Sequence, residues 1–470
     1  MEKKTKVVAT VSDLKCDVDF IKSLYDAGMN VVRLNTAHQS LEDTLRVVEN
    51  IRKVSDSIAI LLDTKGPEIR TKLFGASFEV EENDILYIRN SEDKSGNKLQ
   101  MGVSYQNFIS DIPVNSRILI DDGDIELLVM EVLSEEIKCK VTNSGIIKNK
   151  KSVNVPDVSF KLPSLSTKDR EYVDFAIEHD LDFIAHSFVR NKQDVLDIQN
   201  MLDAKNSEVK IIAKIENHEG VANIDEILDH TYGIMVARGD LAIEIPYEKI
   251  PGTQKMIINK CIEKRKPVII ATQMLHSMIE NPRPTRAEVS DIANAIYSKA
   301  DAIMLSGETA YGKYPVEAVK TMTKVAKEVE ISRSDLHHVK ELIMSTDISA
   351  HLCRSAVKAS LKLDCRAIVA DTKTGRTVRN MAGYRGRKTI YAQCYSKRVV
   401  RELALSFGVD AHYIDIKEGG NFRCDTLNIL VEHGHLSPED RIVVLGGRHG
   451  SSHGASHIEI SNVKNLLTAT

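Results

Sequence analysis

Pairs of ionisable and polar side chains stand two residues apart at the ends of apolar runs. Three such pairs are Arg33 with Asn35, Lys214 with Glu216, and Arg238 with Asp240. If each pair lies on a strand, its two side chains share one face. The carboxylates of Glu216 and Asp240 are hard oxygen ligands that suit Mg²⁺. A single pair could be a structural ion pair, but several pairs meeting at one place predict a reaction site.

Lys214 has two chemical interpretations beside such a metal. Its ammonium could stabilise an enolate or a phosphoryl group in transfer. It could instead form a Schiff base with a carbonyl substrate. A neighbouring dication and arginines favour phosphate chemistry.

The apolar runs indicate the elements that would position these residues. Eight short runs lie at 6–11, 31–37, 58–64, 183–189, 210–216, 233–240, 267–273 and 302–308, with helical patterns between them. The polar residues near their ends are Thr10, Arg33, Asp63, Ser187, Lys214, Arg238, Thr272 and Ser306. The intervals between these are 23, 30, 124, 27, 24, 34 and 34 residues, so six of seven fit one strand–helix unit. Eight such units predict a (β/α)8 TIM barrel, whose catalytic residues lie at the carboxyl ends of the strands.

The interval of 124 residues leaves room for an insertion after the third strand. Residues 67–162 alternate in polarity between turn residues, which predicts a small antiparallel β-domain. Strand and helix patterns from 341 onward predict an open α/β domain. We therefore expect barrel segments at 1–66 and 163–340, the inserted domain at 67–162 and a C-terminal α/β domain at 341–470.

Composition narrows the class of protein. The net charge of −4 does not favour nucleic-acid binding, and no apolar run is long enough to span a membrane. The sequence shows no signal peptide, and its seven scattered cysteines read as reduced thiols. We expect a cytoplasmic protein with neither nucleic-acid nor membrane partners.

Six motifs resemble those of the pyruvate kinases and occur in the same order, on the predicted strands. The resemblance extends along the whole chain. The motifs are DTKGPEIRT at 63–71, SFVRN at 187–191, AKIENHEG at 213–220, MVARGDLAIEIP at 235–246, ATQML at 271–275 and MLSGETAYGKYP at 304–315. The resemblance implies transfer of the phosphoryl group of phosphoenolpyruvate to ADP, which gives pyruvate and ATP in glycolysis. The inserted domain would then be a lid that closes over the barrel mouth, with Asp122 on its inner face.

The same resemblance implies roles for particular residues. Lys214, Arg33 and Thr272 would be catalytic, with Arg33 contacting the phosphoryl group and Thr272 helping to deliver a proton. Gly239 and Asp240 would complete the substrate site with them. Glu216 and Asp240 would hold Mg²⁺.

The resemblance also extends to the nucleotide and to K⁺. Asn35, His38, Arg70 and Lys151 match nucleotide-contacting positions. Asn35, Asp63 and Thr64 match K⁺ ligands, and Glu68 matches members that require K⁺. A serine that ligates K⁺ in the family is Ala37 here, so the K⁺ requirement is a weaker expectation than the Mg²⁺ requirement.

The C-terminal region has a basic segment at 366–401, which contains ten basic residues and a single acidic residue, Asp371. It could be a solvated face or a subunit contact. Alternatively, the turn at 371–377 resembles the effector-phosphate loop of allosteric pyruvate kinases, with a second glycine-rich loop at 445–457. The residues of this hypothetical effector site are Thr372, Thr374, Gly375, Arg376 and Thr377. The family resemblance further implies a homotetramer.

Two other functions remain open on sequence alone. One is a metal-dependent or Schiff-base lyase that acts on pyruvate on the same barrel. The other is a non-catalytic regulatory subunit, since the motifs at 35–40 and 271–276 depart from the family pattern as NTAHQS and ATQMLH.

Overall fold

Eight parallel strands close into a barrel in the computed structural model, which describes residues 3–37, 39–93, 99–332, 347–415, 422–447 and 455–468. Elements are numbered in chain order. The barrel strands are β1 (Lys6–Thr10), β2 (Val31–Asn35), β3 (Ala59–Asp63), β13 (Phe183–His186), β14 (Lys210–Ile215), β15 (Gly233–Ala237), β16 (Val268–Ala271) and β17 (Ala302–Leu305). They follow one another around the barrel in chain order, and β17 closes it against β1. The predicted barrel is thus confirmed.

Helices connect the barrel strands, most of them packed on the outside of the barrel. They are α1 (Val18–Asp26), α2 (Leu41–Val54), α4 (Thr167–Glu178), α5 (Lys192–Ala204), α6 (His218–Ala222), α7 (Ile224–His230), α8 (Arg238–Glu244), α9 (Ile250–Lys264), α10 (Arg286–Tyr297), α11 (Gly307–Ala310) and α12 (Pro315–Ser332). Short 3₁₀ turns lie at Tyr247–Lys249 and His276–Ile279. Most side chains of the strands are apolar because each strand is covered on both faces, with exceptions such as Arg33 and Lys214 toward the carboxyl ends.

Local sequence signals set where several helices begin. Ser166 and Asp169 form a reciprocal capping box at the start of α4, and Thr285 and Glu288 form another at α10. Each box satisfies backbone N–H groups that the first helical turn cannot pair internally. These caps hold the loops at fixed entry points on the barrel.

One strand assignment was wrong in a way that affects the site. Arg238 and Asp240 do not share the face of a strand, because β15 ends at Ala237 and Arg238 begins helix α8. Glu216 likewise follows the last residue of β14. The orientation of Asp240 is therefore set by the first turn of helix α8, and not by the alternation of side chains along a strand.

The inserted domain is a seven-stranded sheet in the order β12-β8-β9-β10-β6-β7-β4, with a separate pair β11-β5. Its elements are β4 (Thr71–Lys72), β5 (Phe78–Val80), β6 (Ile85–Arg89), β7 (Leu99–Val103), α3 (Phe108–Asp111), β8 (Arg117–Ile120), β9 (Ile125–Val132), β10 (Glu136–Val141), β11 (Gly145–Ile147) and β12 (Val153–Asn154). The sheet is antiparallel as predicted, except that β6 and β7 run parallel. It has its own apolar core.

The C-terminal domain is a five-stranded sheet in the order β20-β19-β18-β21-β22. Its elements are α13 (Ile348–Lys362), β18 (Ala367–Thr372), α14 (Arg376–Gly383), β19 (Thr389–Cys394), α15 (Lys397–Leu403), β20 (Val409–Tyr413), α16 (Phe422–Glu432), β21 (Arg441–Gly446), β22 (His457–Asn462) and α17 (Val463–Thr468). Four strands are parallel, as an open α/β domain requires. The antiparallel edge strand β22 was not predicted.

Ion pairs join the C-terminal domain to the barrel. Arg401 contacts Asp182 at 2.5 Å and Asp180 at 2.7 Å, and Arg385 contacts Asp301 at 2.5 Å. Four of the ten basic residues of the segment thus pair with barrel acids, which neither interpretation of that segment anticipated; they are Arg385, Lys397, Arg398 and Arg401. The seven cysteines are free, and no helix of the described residues is long and apolar enough to cross a membrane.

Candidate active site

A buried lysine lies at the centre of the barrel mouth. The Nζ of Lys214 is 2.9 Å from Glu216, 3.3 Å from Asp63, and donates to Ser187 Oγ at 2.8 Å. Burial opposes the charge on Lys214, but Asp63 and Glu216 outweigh burial and raise the pKa above its usual value. Lys214 is therefore held as an ammonium ion.

Arg33 joins this group through Asp63. Its Nη2 donates to Asp63 Oδ2 at 2.5 Å, and its Nη1 donates to Thr10 Oγ1 at 3.2 Å. Burial alone would raise the pKa of Asp63, yet Arg33 and Lys214 together hold it below its ordinary value. Two cations thus meet at one carboxylate, and this concentrates positive charge where an anionic substrate would bind.

The two carboxylates predicted to hold Mg²⁺ lie near each other. Burial raises the pKa of Glu216, Lys214 opposes this, and the negative charge of Asp240 adds to it. Glu216 Oε2 also accepts a hydrogen bond from the backbone N–H of Phe188 at 2.7 Å. Two neighbouring carboxylates supply the oxygen ligands that a divalent cation prefers, so this donor set fits Mg²⁺.

Thr272 lies on the other side of the mouth. Its hydroxyl accepts from Gly239 N at 2.8 Å and donates to the Ala271 carbonyl at 2.6 Å. Thr272 and Gln273 both have left-handed backbones, with φ of 69° and 56°. Such strain costs roughly 1–3 kcal/mol per residue and persists where surrounding bonds maintain it. Here Arg238 supports it by donating to the Thr272 carbonyl at 2.6 Å.

Arg238 itself is directed away from the substrate side. Its Nη1 contacts Asp291 at 2.7 Å, on helix α10. The arginine therefore supports the loop of Thr272 and does not join Arg33 and Lys214. Gly239, which follows it, lies beside Thr272 at the mouth.

A cavity of about 370 Å³ separates the inserted domain from the barrel mouth. Arg70, Lys151 and Asp122 line it from the domain side, and Asp240 and Glu244 line it from the barrel side. Size and placement suit a small phosphorylated ligand covered by a lid.

Two side chains predicted to contact the nucleotide, Arg70 and Lys151, lie in this cavity and are bonded to nearby protein groups. Arg70 donates to Glu68 from Nε at 2.8 Å and to the Lys150 carbonyl at 2.7 Å. Lys151 pairs with Asp121 at 2.9 Å. His38, the remaining predicted contact besides Asn35, lies outside the described residues.

The predicted K⁺ ligands gather at the ends of β2 and β3. Asp63 Oδ1 is buried and has no hydrogen-bond partner within the described part of the chain. Asn35 Oδ1 accepts from the backbone of Ala37 at 3.2 Å, and Thr64 Oγ1 accepts from Ser187 N at 3.0 Å. A buried carboxylate oxygen without a donor fits a monovalent cation, although Ala37 offers no side-chain oxygen.

Ser187 belongs to the same cluster, although the sequence analysis gave it no role. Its hydroxyl accepts from Lys214 Nζ and donates to the Thr64 carbonyl at 2.6 Å. It therefore bridges the lysine to the β3 end. Its place at the end of a barrel strand was the available signal.

These features define a class of protein: a (β/α)8-barrel enzyme with a charged mouth, a covering β-domain and an appended α/β domain. Two family models match the chain, "Pyruvate kinase, barrel domain" over residues 2–319 and "Pyruvate kinase, alpha/beta domain" over residues 350–460. A pyruvate kinase of Borreliella burgdorferi is 47% identical over 99% of both chains. One of Geobacillus stearothermophilus is 47% identical over 87% of this chain and 71% of its own. The crystal structure of a Cryptosporidium parvum pyruvate kinase matches with a TM-score of 0.91 and 36% identity, over 98% of this chain and 96% of that chain.

The chain belongs to the pyruvate kinase family. It is a phosphotransferase, and the family reaction is phosphoryl transfer from phosphoenolpyruvate to ADP.

Proposed function

We propose that the buried cluster around Lys214 carries out this transfer. The observation that carries the proposal is the position of Lys214 Nζ, 2.9 Å from Glu216 and 3.3 Å from Asp63, next to the guanidinium that Asp63 also holds. Positive charge fixed before the substrate arrives stabilises the transition state without reorganisation. Phosphoryl transfer depends on such electrostatic stabilisation more than on covalent chemistry by the protein.

Each residue has a defined task. Arg33 binds the phosphoryl group, and the Lys214 ammonium neutralises charge on that group and on the enolate oxygen. Gly239 offers its backbone N–H to the substrate carboxylate once Thr272 releases it. The Thr272 hydroxyl then helps to bring a proton to the enolate carbon.

Glu216 and Asp240 would hold the divalent cation, which supplies charge neutralisation for the substrate oxygens when bound. Asn35, Asp63 and Thr64 would hold K⁺. The unpartnered Oδ1 of Asp63 supports the K⁺ site. Arg70 and Lys151, in the cavity beneath the inserted domain, would bind the nucleotide phosphates, with Asn35 and His38 beside them.

The electrostatics of Lys214 disfavour the lyase alternative. A Schiff base requires a neutral amine, and Asp63 and Glu216 raise the pKa of Lys214 and hold it protonated. The non-catalytic alternative is disfavoured because Lys214, Arg33 and Thr272 are all present and face one mouth.

The test is the Lys214→Met variant in a coupled assay with phosphoenolpyruvate, ADP, Mg²⁺ and K⁺. We expect kcat to fall by about 10²-fold or more, because one preorganised charge is removed from the transition state. Lys320→Met, at an exposed lysine of α12, is the control and should keep wild-type kcat. Full activity of Lys214→Met would refute the proposal. Borohydride trapping of wild type with pyruvate should label nothing.

We further propose that the turn before α14 binds a phosphorylated effector. Gly375 has φ of 73°, and its N–H donates to Thr372 Oγ1 at 2.9 Å, so the turn is compact. Thr374, Arg376 and Thr377 complete the predicted contacts at the start of the helix. The second loop falls partly at 448–454, outside the described residues. Binding of a sugar phosphate or nucleoside monophosphate, measured by calorimetry, should be lost in Thr374→Glu. Unchanged binding in that variant would contradict the site.

A homotetramer is proposed on family grounds and is tested by light scattering.

A further inference from the structure

Three side chains of the C-terminal domain converge at the edge of its sheet, far along the chain from the proposed catalytic residues. Asp410 and His412 belong to β20, and His435 follows helix α16. One ligand atom from each lies within 4.8 Å of the other two. No step of the proposed reaction uses them.

The fold explains why they meet. Asp410 and His412 are two residues apart on a strand, so their side chains project from one face. On the same face, Leu427 and Leu430 of α16 pack with Tyr391 of the neighbouring strand β19. At the end of α16 the chain turns through Gly434, at φ of 72°, and brings His435 back over the sheet.

The aromatic rings of the site lie against one another in tilted contacts. The centroids of His412 and His435 are 5.5 Å apart, and that of Tyr391 is 5.3 Å from His435. Asp410 Oδ1 lies 3.2 Å from His412 Nε2. The side chains of Asp410 and His412 are 34% and 28% exposed, so an ion and its waters have access from solvent.

We propose that Asp410, His412 and His435 form a binding site for a borderline transition-metal ion of the Zn²⁺ type. Two imidazoles and one carboxylate are a common ligand set for such ions, and they leave positions for water. Mg²⁺, which prefers oxygen ligands, is excluded by the same donor set. Ligand atoms around Zn²⁺ stand about 3.3 Å apart at metal–ligand distances of about 2.0–2.1 Å. Small side-chain rotations close the remaining difference.

One cation that acts on the site is also bound to the backbone. Lys6, which acts electrostatically on Asp410, donates from Nζ to the Val409 carbonyl at 2.6 Å. This hydrogen bond also connects β1 of the barrel to β20 of the C-terminal domain. Metal bound at the triad joins this edge strand to the end of α16 and therefore rigidifies the part of the C-terminal domain that contacts the barrel.

Cobalt titration of the full-length protein tests the site. The protein is stripped of metal with a chelator, exchanged into excess Mg²⁺ to fill the proposed catalytic site, and titrated with Co²⁺. We expect one equivalent to produce visible d–d absorption and Zn²⁺ to abolish it by displacement. Wild-type protein without such absorption would overturn the proposal.

Substitutions identify the ligands. His412→Ala and His435→Ala should each weaken Co²⁺ binding at least tenfold, the lower end of what damage to a metal site costs. His433→Ala is the matched control, because His433 is exposed and its ring lies 6.3 Å from that of His435 without belonging to the triad. It should bind as wild type does.

Folding is checked by far-UV circular dichroism and by phosphotransfer activity with Mg²⁺, both of which should be unchanged. Should an alanine variant fail to fold, His435→Gln and Asp410→Asn replace it, since both keep a polar side chain of similar size. Binding that is equal in wild type and the triad variants, or lost equally in His433→Ala, would overturn the assigned ligands.

Discussion

At the residue scale, the site depends on how one lysine is held. Lys214 contacts Asp63, Glu216 and Ser187, so two carboxylates set its charge and one hydroxyl sets its direction. The carboxylates raise the pKa of the ammonium although it is buried. Ser187 thereby acts as a positioning residue, and its effect should pass through Lys214.

Replacing Ser187 with Ala should lower kcat about tenfold and leave the KM for phosphoenolpyruvate nearly unchanged. The reason is the loss of one hydrogen bond to a charged group, about 1.5 kcal/mol. Steady-state kinetics of the single variants and of the Ser187→Ala, Lys214→Met double variant measure this. In the double variant the serine substitution should have no further effect. An additional tenfold loss there would show that Ser187 acts independently of the lysine.

At the scale of elements, the inserted β-domain covers the barrel mouth through a small number of contacts. Asn154 donates to Glu244 at 3.1 Å, and Ser159 donates to Glu219 at 2.9 Å. Arg190 donates to the Phe160 and Leu162 carbonyls near the return to the barrel. Such sparse polar contacts suit a lid that opens to admit substrate and closes to exclude water.

The lid residue Arg70 should govern the nucleotide and not phosphoenolpyruvate. For Arg70→Gln we expect the KM for ADP to rise about tenfold or more, since a charge-assisted phosphate contact of about 1.5 kcal/mol is lost. The KM for phosphoenolpyruvate should stay within about twofold. Arg117→Gln is the control, because Arg117 pairs with Glu126 on an exposed part of the same sheet. Equal changes in both KM values for Arg70→Gln would contradict the assignment.

At the scale of the whole molecule, buried acids of the barrel hold the C-terminal domain in place. Asp182 is fully buried and accepts from Arg52 at 3.1 Å, from Arg401 at 2.5 Å and from the Ile60 backbone at 2.8 Å. Asp301 likewise accepts from Arg385 and from the Phe407 backbone. The two domains are thus joined by arginines of the C-terminal domain that bind buried carboxylates of the barrel.

Asp182→Asn should lower the free energy of unfolding by about 3 kcal/mol, because Arg52 loses its carboxylate partner and Arg401 keeps only the contact with Asp180. Urea denaturation followed by fluorescence and circular dichroism measures the change. Asp229→Asn, which breaks an exposed pair with Lys264, should cost less than about 1 kcal/mol. Similar decreases in the free energy of unfolding for the two variants would mean that burial does not determine how much an ion pair contributes to stability.

The apolar runs of the sequence were sufficient to predict the eight barrel strands, because strands covered on both faces must be largely apolar and their spacing fixes the strand–helix unit. The alternating polarity of residues 67–162 predicted the inserted sheet. Motif resemblance then pointed to Lys214, Glu216, Arg33 and Thr272. The geometry of Asp240 was not predictable, since a short helix and a strand end look alike over three residues. The ties of the basic segment to Asp182 and Asp301, and the meeting of Asp410 with His412 and His435, were decided only in the tertiary structure. Contacts between residues far apart in the chain depend on how whole elements pack, and local patterns carry no record of that packing.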